Sequence, residues 1–203
     1  MKTNFHSKSL ALICLFFTGA LQSVDAQVGR ADVQGVIGQA TYTVAGAAAI
    51  PLRAGASVPA GATVTTGRSS AVDLYFGPEL GTVRLTQNTV LSLEKLGPQT
   101  LVSLLEGSVV GWGAKVPAST EFQVKLPNGI VGIVEGKYRL DARSYLVLLN
   151  GAMVFAYVPP GASPTPYTLK GPPAVYFSPI EGVKPAPAAL QREVELQCKG
   201  KLR

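Results

Sequence analysis

From Val33 to Val158 the chain alternates apolar and polar positions in short stretches. Ala71-Val-Asp-Leu-Tyr-Phe76, Thr82-Val-Arg-Leu-Thr86, Thr89-Val-Leu-Ser-Leu-Glu94 and Phe122-Gln-Val-Lys-Leu126 each set every second side chain on one face. A period of two is the signature of half-buried strands. Glycines at 46, 55, 61, 67, 77, 81, 97, 107 and 136, with Pro127-Asn-Gly129 and Asn150-Gly151, punctuate these stretches. Turn signals roughly 8–12 residues apart predict an all-β fold: an antiparallel β-sandwich or a short β-roll of many short strands. Leu104-Leu-Glu-Gly-Ser-Val-Val110 resembles Leu148-Leu-Asn-Gly-Ala-Met-Val154, with Val33-Gln-Gly-Val-Ile37 as a shorter echo. Glycine accepts positive φ cheaply, so Glu106-Gly107 and Asn150-Gly151 are each expected to centre a hairpin.

After Val158 the texture changes. Pro159-Pro-Gly-Ala-Ser-Pro-Thr-Pro166 and Gly171-Pro-Pro173 lack the donors a central ladder needs. Residues 159–203 are therefore expected to form a Pro-rich C-terminal extension that is partly ordered or wraps the domain or a partner. Val175-Tyr-Phe177 is its one expected strand. Its one possible short helix is Ala188-Ala-Leu-Gln-Arg-Glu-Val-Glu-Leu-Gln197, with Pro185 and Pro187 at its start, where proline is tolerated.

The N-terminal stretch reads as an export signal. Lys2 and Lys8 precede the apolar run Leu10-Ala-Leu-Ile-Cys-Leu-Phe-Phe17, and Val24-Asp-Ala26 offers small residues for cleavage after Ala26. The run spans about a dozen residues, short of the roughly 20 that cross a bilayer. The expected segments are thus a signal peptide over 1–26, a β domain over 33–158 and the extension over 159–203. The expected location is periplasmic or secreted, with no integral membrane span after cleavage.

Cleavage changes the available chemistry. It removes His6, the only histidine, and Cys14, leaving Cys198 as the single thiol. Removing Lys2, Lys8 and Asp25 takes the formal net charge from +6 to +5. The remaining basic residues are scattered, dense only at Lys137-Tyr-Arg139 with Arg143 and at Lys199-Gly-Lys-Leu-Arg203. Nucleic-acid binding calls for a clustered basic face or a recognisable module, so none is expected. A serine triad needs a base beside its nucleophile, and a zinc site needs several N or S ligands. No phosphate loop or calcium loop is present, and the carboxylates are spread along the chain. The expectation is a non-enzyme without metal or cofactor, with an envelope hydrolase the remote alternative. Binding is the remaining class. Trp112 stands between Gly111 and Gly113, and Lys137, Tyr138 and Arg139 form a basic-aromatic triplet. Trp112, Lys137, Tyr138 and Arg139 are the candidate contacts, each weighed against an ordinary packing role.

The order of motifs resembles the FecR-type domain, the periplasmic part of iron-dicitrate-type regulators and of other envelope proteins. Pro51-Leu-Arg-Ala-Gly55 with Val58-Pro-Ala-Gly61, and Val64-Thr-Thr-Gly67 with Ser69-Ser-Ala-Val-Asp-Leu74, are similar to its early segments. Gly81-Thr-Val-Arg-Leu85, Gln87-Asn-Thr-Val-Leu91, Leu105-Glu-Gly-Ser-Val109 and Phe122-Gln-Val-Lys-Leu-Pro127 are similar to its later ones. The likeness covers about residues 33–158. Two departures stand out. Val134-Glu-Gly-Lys137 replaces the family's arginine-glycine-threonine and keeps only Gly136, and Phe76-Gly-Pro-Glu-Leu-Gly81 is longer than the usual hairpin. The regulators carry a cytoplasmic domain and a membrane helix ahead of this domain; here neither is found, and direct anti-sigma action is not expected. The resemblance implies a binding, sensing or scaffold module of the cell envelope that recognises another envelope protein, by strand addition at an open sheet edge among other modes. The second reading is a cell-wall or exopolysaccharide-binding module.

Overall fold

The computed structural model describes residues 29–199 and 202; the expected signal peptide lies outside them. The strands are β1 (Arg30–Ile37), β2 (Ala40–Val44), β3 (Ile50–Pro51), β4 (Ser57–Pro59), β5 (Ala62–Thr66), β6 (Ala71–Tyr75), β7 (Thr82–Leu85) and β8 (Val90–Lys95). They continue with β9 (Gln99–Glu106), β10 (Ser108–Gly113), β11 (Glu121–Leu126), β12 (Gly129–Asp141), β13 (Leu146–Tyr157), β14 (Thr165–Gly171), β15 (Val175–Ser178) and β16 (Gly182–Pro185). One helix, α1 (Ala188–Cys198), follows. The fold is all-β, and the alternating stretches appear as β6, β7, β8 and β11.

Two long strands hold the sheet together. β12 and β13 pair antiparallel from Gly129↔Tyr157 to Leu140↔Leu146. The first half of β12 also pairs β11, and its second half pairs β10. β13 likewise pairs β15 with its first half and β14 with its second. The sheet therefore divides into two limbs. The first runs β3-β2-β5-β8-β9-β11-β12-β13-β14, and the second runs β4-β1-β6-β7-β10-β12-β13-β15-β16. The pairing is antiparallel throughout except β9 with β11, which is parallel.

The limbs meet at a corner built from Gly136 and Gly151, which are register partners at φ 111° and 97°. A Cβ on Gly136 would lie 1.8 Å from the Asn150 carbonyl oxygen, so only glycine fits there. Register shifts flank this point, between Ile133 and Glu135 and between Lys137 and Tyr138. Bulges and glycines of this kind let a strand change sheets. The Asn150-Gly151 hairpin expected from sequence is thus a bend inside β13. Glu106-Gly107 is not a hairpin either: it carries the chain from β9 in the first limb to β10 in the second. In both places glycine serves strand bending, and the local pattern of apolar strand, polar-Gly and apolar strand does not separate the two uses.

One apolar core lies between the limbs. It joins Val64, Leu91, Leu104 and Phe122 from the first to Leu74, Val83, Leu85 and Leu140 from the second. Phe76 and Phe122 stack across the gap at 5.7 Å between centroids. Burying a side chain of this size contributes roughly 1.5–3 kcal/mol, so this core is the main stabilising element.

The Pro-rich region joins the body directly. β14 and β15 pair with β13, and Phe177 packs edge-on against Phe155 at 5.0 Å. α1 lies on the outer face of the second limb. There Val110, Val147, Ala174, Ala186 and Val194 form a separate small core. Among the described residues, no helix is long and apolar enough to cross a membrane.

Candidate binding face

Alternation along β10 and β12 decides which candidate residues stand together. Val109 and Gly111 face the main core, so Val110 and Trp112 face outward. Register pairs Trp112 with Lys137 and Val110 with Arg139. Three of the four candidates, Trp112, Lys137 and Arg139, therefore share the outer face of the second limb. Tyr138 points the other way and is 2% exposed. Its ring lies on Gly111, where a Cβ would come within 2.1 Å of the phenol carbon. Burial, with a smaller contribution from nearby Cys198, pushes its hydroxyl well above the usual tyrosine range. It is a core residue and offers nothing to a partner. Gly111 is explained by Tyr138, across the sheet from Trp112.

Arg84 and Asp73 extend the face, and the sequence reading did not single them out. Neighbours on β6 and β7, they form a buried bidentate pair, Nε to Oδ1 at 2.6 Å and Nη2 to Oδ2 at 2.8 Å. The Arg84 guanidinium also lies 5.1 Å from the centroid of the Trp112 ring, a cation–π distance. The only available signal was the opposite charge at Asp73 and Arg84, two outward positions of adjacent predicted strands.

α1 crosses this face. Leu190, Glu193, Val194 and Gln197 follow the i, i+3, i+4, i+7 spacing of one helical stripe. Val194 is fully buried against Val110 and Val147. Arg139 Nη1 donates to Glu193 Oε1 at 2.5 Å, and Arg84 Nη1 donates to the Gln197 carbonyl at 2.7 Å. Beyond the helix, the Leu202 amide reaches Asp73 Oδ2 at 3.4 Å. Cys198 packs at the margin of this small core, and burial pushes its thiol up to about 11.

Beside the N-terminal half of α1 an open groove of about 280 Å³ remains. Arg139, Arg143, Tyr145, Tyr176, Leu190 and Glu193 line it. Arg143 lies 5.8 Å from the Tyr145 ring centroid and binds Asp141 at 2.9 and 3.1 Å. Burial works to raise the Asp141 carboxyl, but hydrogen bonds from the Arg143 side chain and backbone outweigh it and hold that carboxyl below its ordinary value. Arg143 and Asp141 also border a larger cleft of about 840 Å³ at the turn end, with Asn88, Glu106 and Asn128. Among the described residues, no group of three or more His, Cys, Asp or Glu side chains is placed to hold a metal ion.

The chain is a curled, many-stranded all-β sheet. Two crystal structures of a "putative anti-sigma factor" from Parabacteroides distasonis share this fold. They superimpose with a TM-score of 0.52 in each case, at 14% and 15% sequence identity. The match covers 68% of this chain and 65% and 64% of those chains, so this chain spans just under two thirds of their length. At that identity the likeness concerns the fold alone. No family model and no curated protein matches the sequence.

Proposed function

We propose that this protein is a non-catalytic FecR-type module, exported to the bacterial envelope, that binds a protein partner through the outer face of its second limb. One observation carries the reading. Residues far apart in sequence, Arg84, Trp112, Lys137 and Arg139, stand together on that face. Arginine and aromatic side chains grouped in this way are enriched at recognition surfaces. The sensing or scaffold role follows from the motif order over residues 33–158. It also accords with the regulatory name of the protein from Parabacteroides distasonis.

Export is tested by fractionating cells and weighing the product: loss of residues 1–26 and recovery outside the cytoplasm are expected, and a product that retains His6 in the cytoplasm refutes it. Binding is tested by cross-linking the full chain to envelope proteins. Lys137→Glu should reduce the cross-linked species at least about tenfold. Unchanged cross-linking by a folded variant places the contact elsewhere.

The groove favours a second reading. Tyr145 and Tyr176 offer stacking surfaces beside the Arg139 and Arg143 guanidiniums, a chemistry suited to an anionic polysaccharide. Retention of the full chain on a uronic-acid polymer, lost with Tyr145→Ala, would support it over the protein partner.

A further inference from the structure

We propose that the outer face of the second limb is a receptor for a helix of the protein partner, and that α1 occupies it as a displaceable internal competitor. The inference deepens the binding role proposed above and rests on it.

The first argument is what α1 shows of the ligand. It docks by one stripe, with Val194 in the small apolar core and Glu193 on Arg139. Its last turn presents the Gln197 carbonyl to Arg84. Carbonyls at a helix C-terminus carry partial negative charge, so a guanidinium beneath them reads a helix end and its direction. The face thus recognises a helix with an apolar residue at one position, a carboxylate just before it and a free carbonyl about one turn later. Recognition of a helix by i, i+3, i+4, i+7 anchors on a prepared surface is a recurring mode.

The second argument is that α1 is weakly held. It has 11 residues, and isolated helices of that length are marginal in water. Its N-cap is Pro187, with no side-chain cap, no acidic residue in the first turn and no basic residue in the last. Val194 is its one fully buried residue, and Leu196 on the opposite side is 60% exposed. Elements with little buried area and few protected hydrogen bonds open at low free energy.

The third argument concerns what lies underneath. A face that stayed covered would be stabilised most by apolar residues, because ion pairs buried there gain little over well-packed hydrophobic ones. This face surrounds its small apolar patch with charge, placing Arg84, Lys137 and Arg139 around Trp112. Such a surface keeps its charge complementarity when uncovered and can receive a second helix.

The test uses the full chain. Val194→Asp should undock α1 while leaving the main core intact, since Val194 belongs only to the outer cluster. Three readouts follow. Iodide quenching of Trp112 should rise, and labelling of Cys198 by a thiol reagent should accelerate at least about tenfold. A fluorescein-labelled synthetic peptide copying residues 187–199 should bind the variant at least about tenfold more tightly than the parent, whose face is occupied. The same peptide carrying Glu193→Lys should lose that gain.

If Val194→Asp loses its strand circular dichroism, Glu193→Arg takes its place, and Arg139→Glu combined with Glu193→Arg should restore the closed behaviour. A folded, opened variant that does not bind the peptide overturns the receptor. No change in Trp112 quenching overturns the displaceable helix. Because the peptide comes from the chain itself, either failure is distinguishable from the absence of an envelope partner.

Discussion

Replacing Asp73 by alanine removes the carboxylate from beneath Arg84 and leaves a buried guanidinium. Asp73 is 2% exposed and Arg84 is 7% exposed, so neither is screened by much water. Breaking a buried pair by removing one partner costs about 3–5 kcal/mol, most of it the desolvation of the charge left behind. Arg84 retains the Gln197 carbonyl at 2.7 Å and the Trp112 ring at 5.1 Å, which places the cost near the lower end. For a domain of this size each kcal/mol shifts Tm by about 2–4 °C, so a fall of about 6–12 °C is expected. Urea denaturation should show a lower midpoint with an unchanged slope, since the surface exposed on unfolding is the same. The double variant Asp73→Leu with Arg84→Met should recover most of the loss, because an apolar pair of similar volume is often neutral or better in such a site. The double variant should nevertheless loosen α1, which loses the Arg84 contact with Gln197. A loss below about 1 kcal/mol for Asp73→Ala would refute the reasoning, as would a double variant no more stable than the single one.

Two further perturbations test the corner and the cover. Gly136→Ala forces a Cβ against the Asn150 carbonyl at φ 111° and should cost about 3 kcal/mol or more, whereas Gly46→Ala, at φ 77° with open space, should cost only about 1–2 kcal/mol; equal urea midpoints would contradict the corner. Cys198 should react with iodoacetamide along a pH profile centred near 11 in the parent and near the ordinary thiol value of about 8.5 once α1 is undocked by Val194→Asp. The sign follows from burial. A thiol pKa raised in the docked state contributes its stabilisation below the undocked value and loses it as pH rises towards 11, so the cover should loosen between about pH 8.5 and 11. Profiles that coincide in the two proteins would sever Cys198 from the docking of α1.

Much of the fold was legible because alternation survives wherever one strand face is buried. β6, β7, β8 and β11 lie where the period of two placed them, and α1 starts after the two prolines, at the end of a helix where proline is tolerated. Two features were not legible. The first was the corner: Gly136 and Gly151 become a matched pair only through the register of β12 with β13, and register is a long-range property. The second was the fate of the extension. Prolines correctly excluded central strands, but edge strands tolerate them, and β14 adds to the sheet with Pro166 opposite Ala156. At the site, alternation should have separated Tyr138 from Lys137 and Arg139, since adjacent strand residues face opposite ways. The packing role weighed for Tyr138 against its candidacy as a contact is the one it takes, with its basic neighbours on the opposite face. Arg84 and Asp73 were missed because each is an ordinary charged residue until the pairing of β6 and β7 sets them opposite each other.

The same prolines narrow how this protein can bind. The ends of the two limbs are β3, β14, β4 and β16, and each carries a proline, at 51, 166, 59 and 185. β3, β4 and β16 contain only two, three and four residues. β14 is longer, but it starts beside Pro166, places exposed Lys170 near its end and runs into Pro172. Short edges, prolines and lysines are the means by which sheets avoid pairing with foreign strands. Strand addition, one of the modes open at the level of sequence, thus finds poorly suited edges at all four ends. A face has no such barrier. The outer face of the second limb already holds a helix through side-chain packing, the Arg139–Glu193 pair and the bond from Arg84 to the Gln197 carbonyl, without any ladder hydrogen bond. The edges argue against an extended peptide and the face argues for a helical one, so the two observations, drawn from different parts of the molecule, point to the same kind of partner.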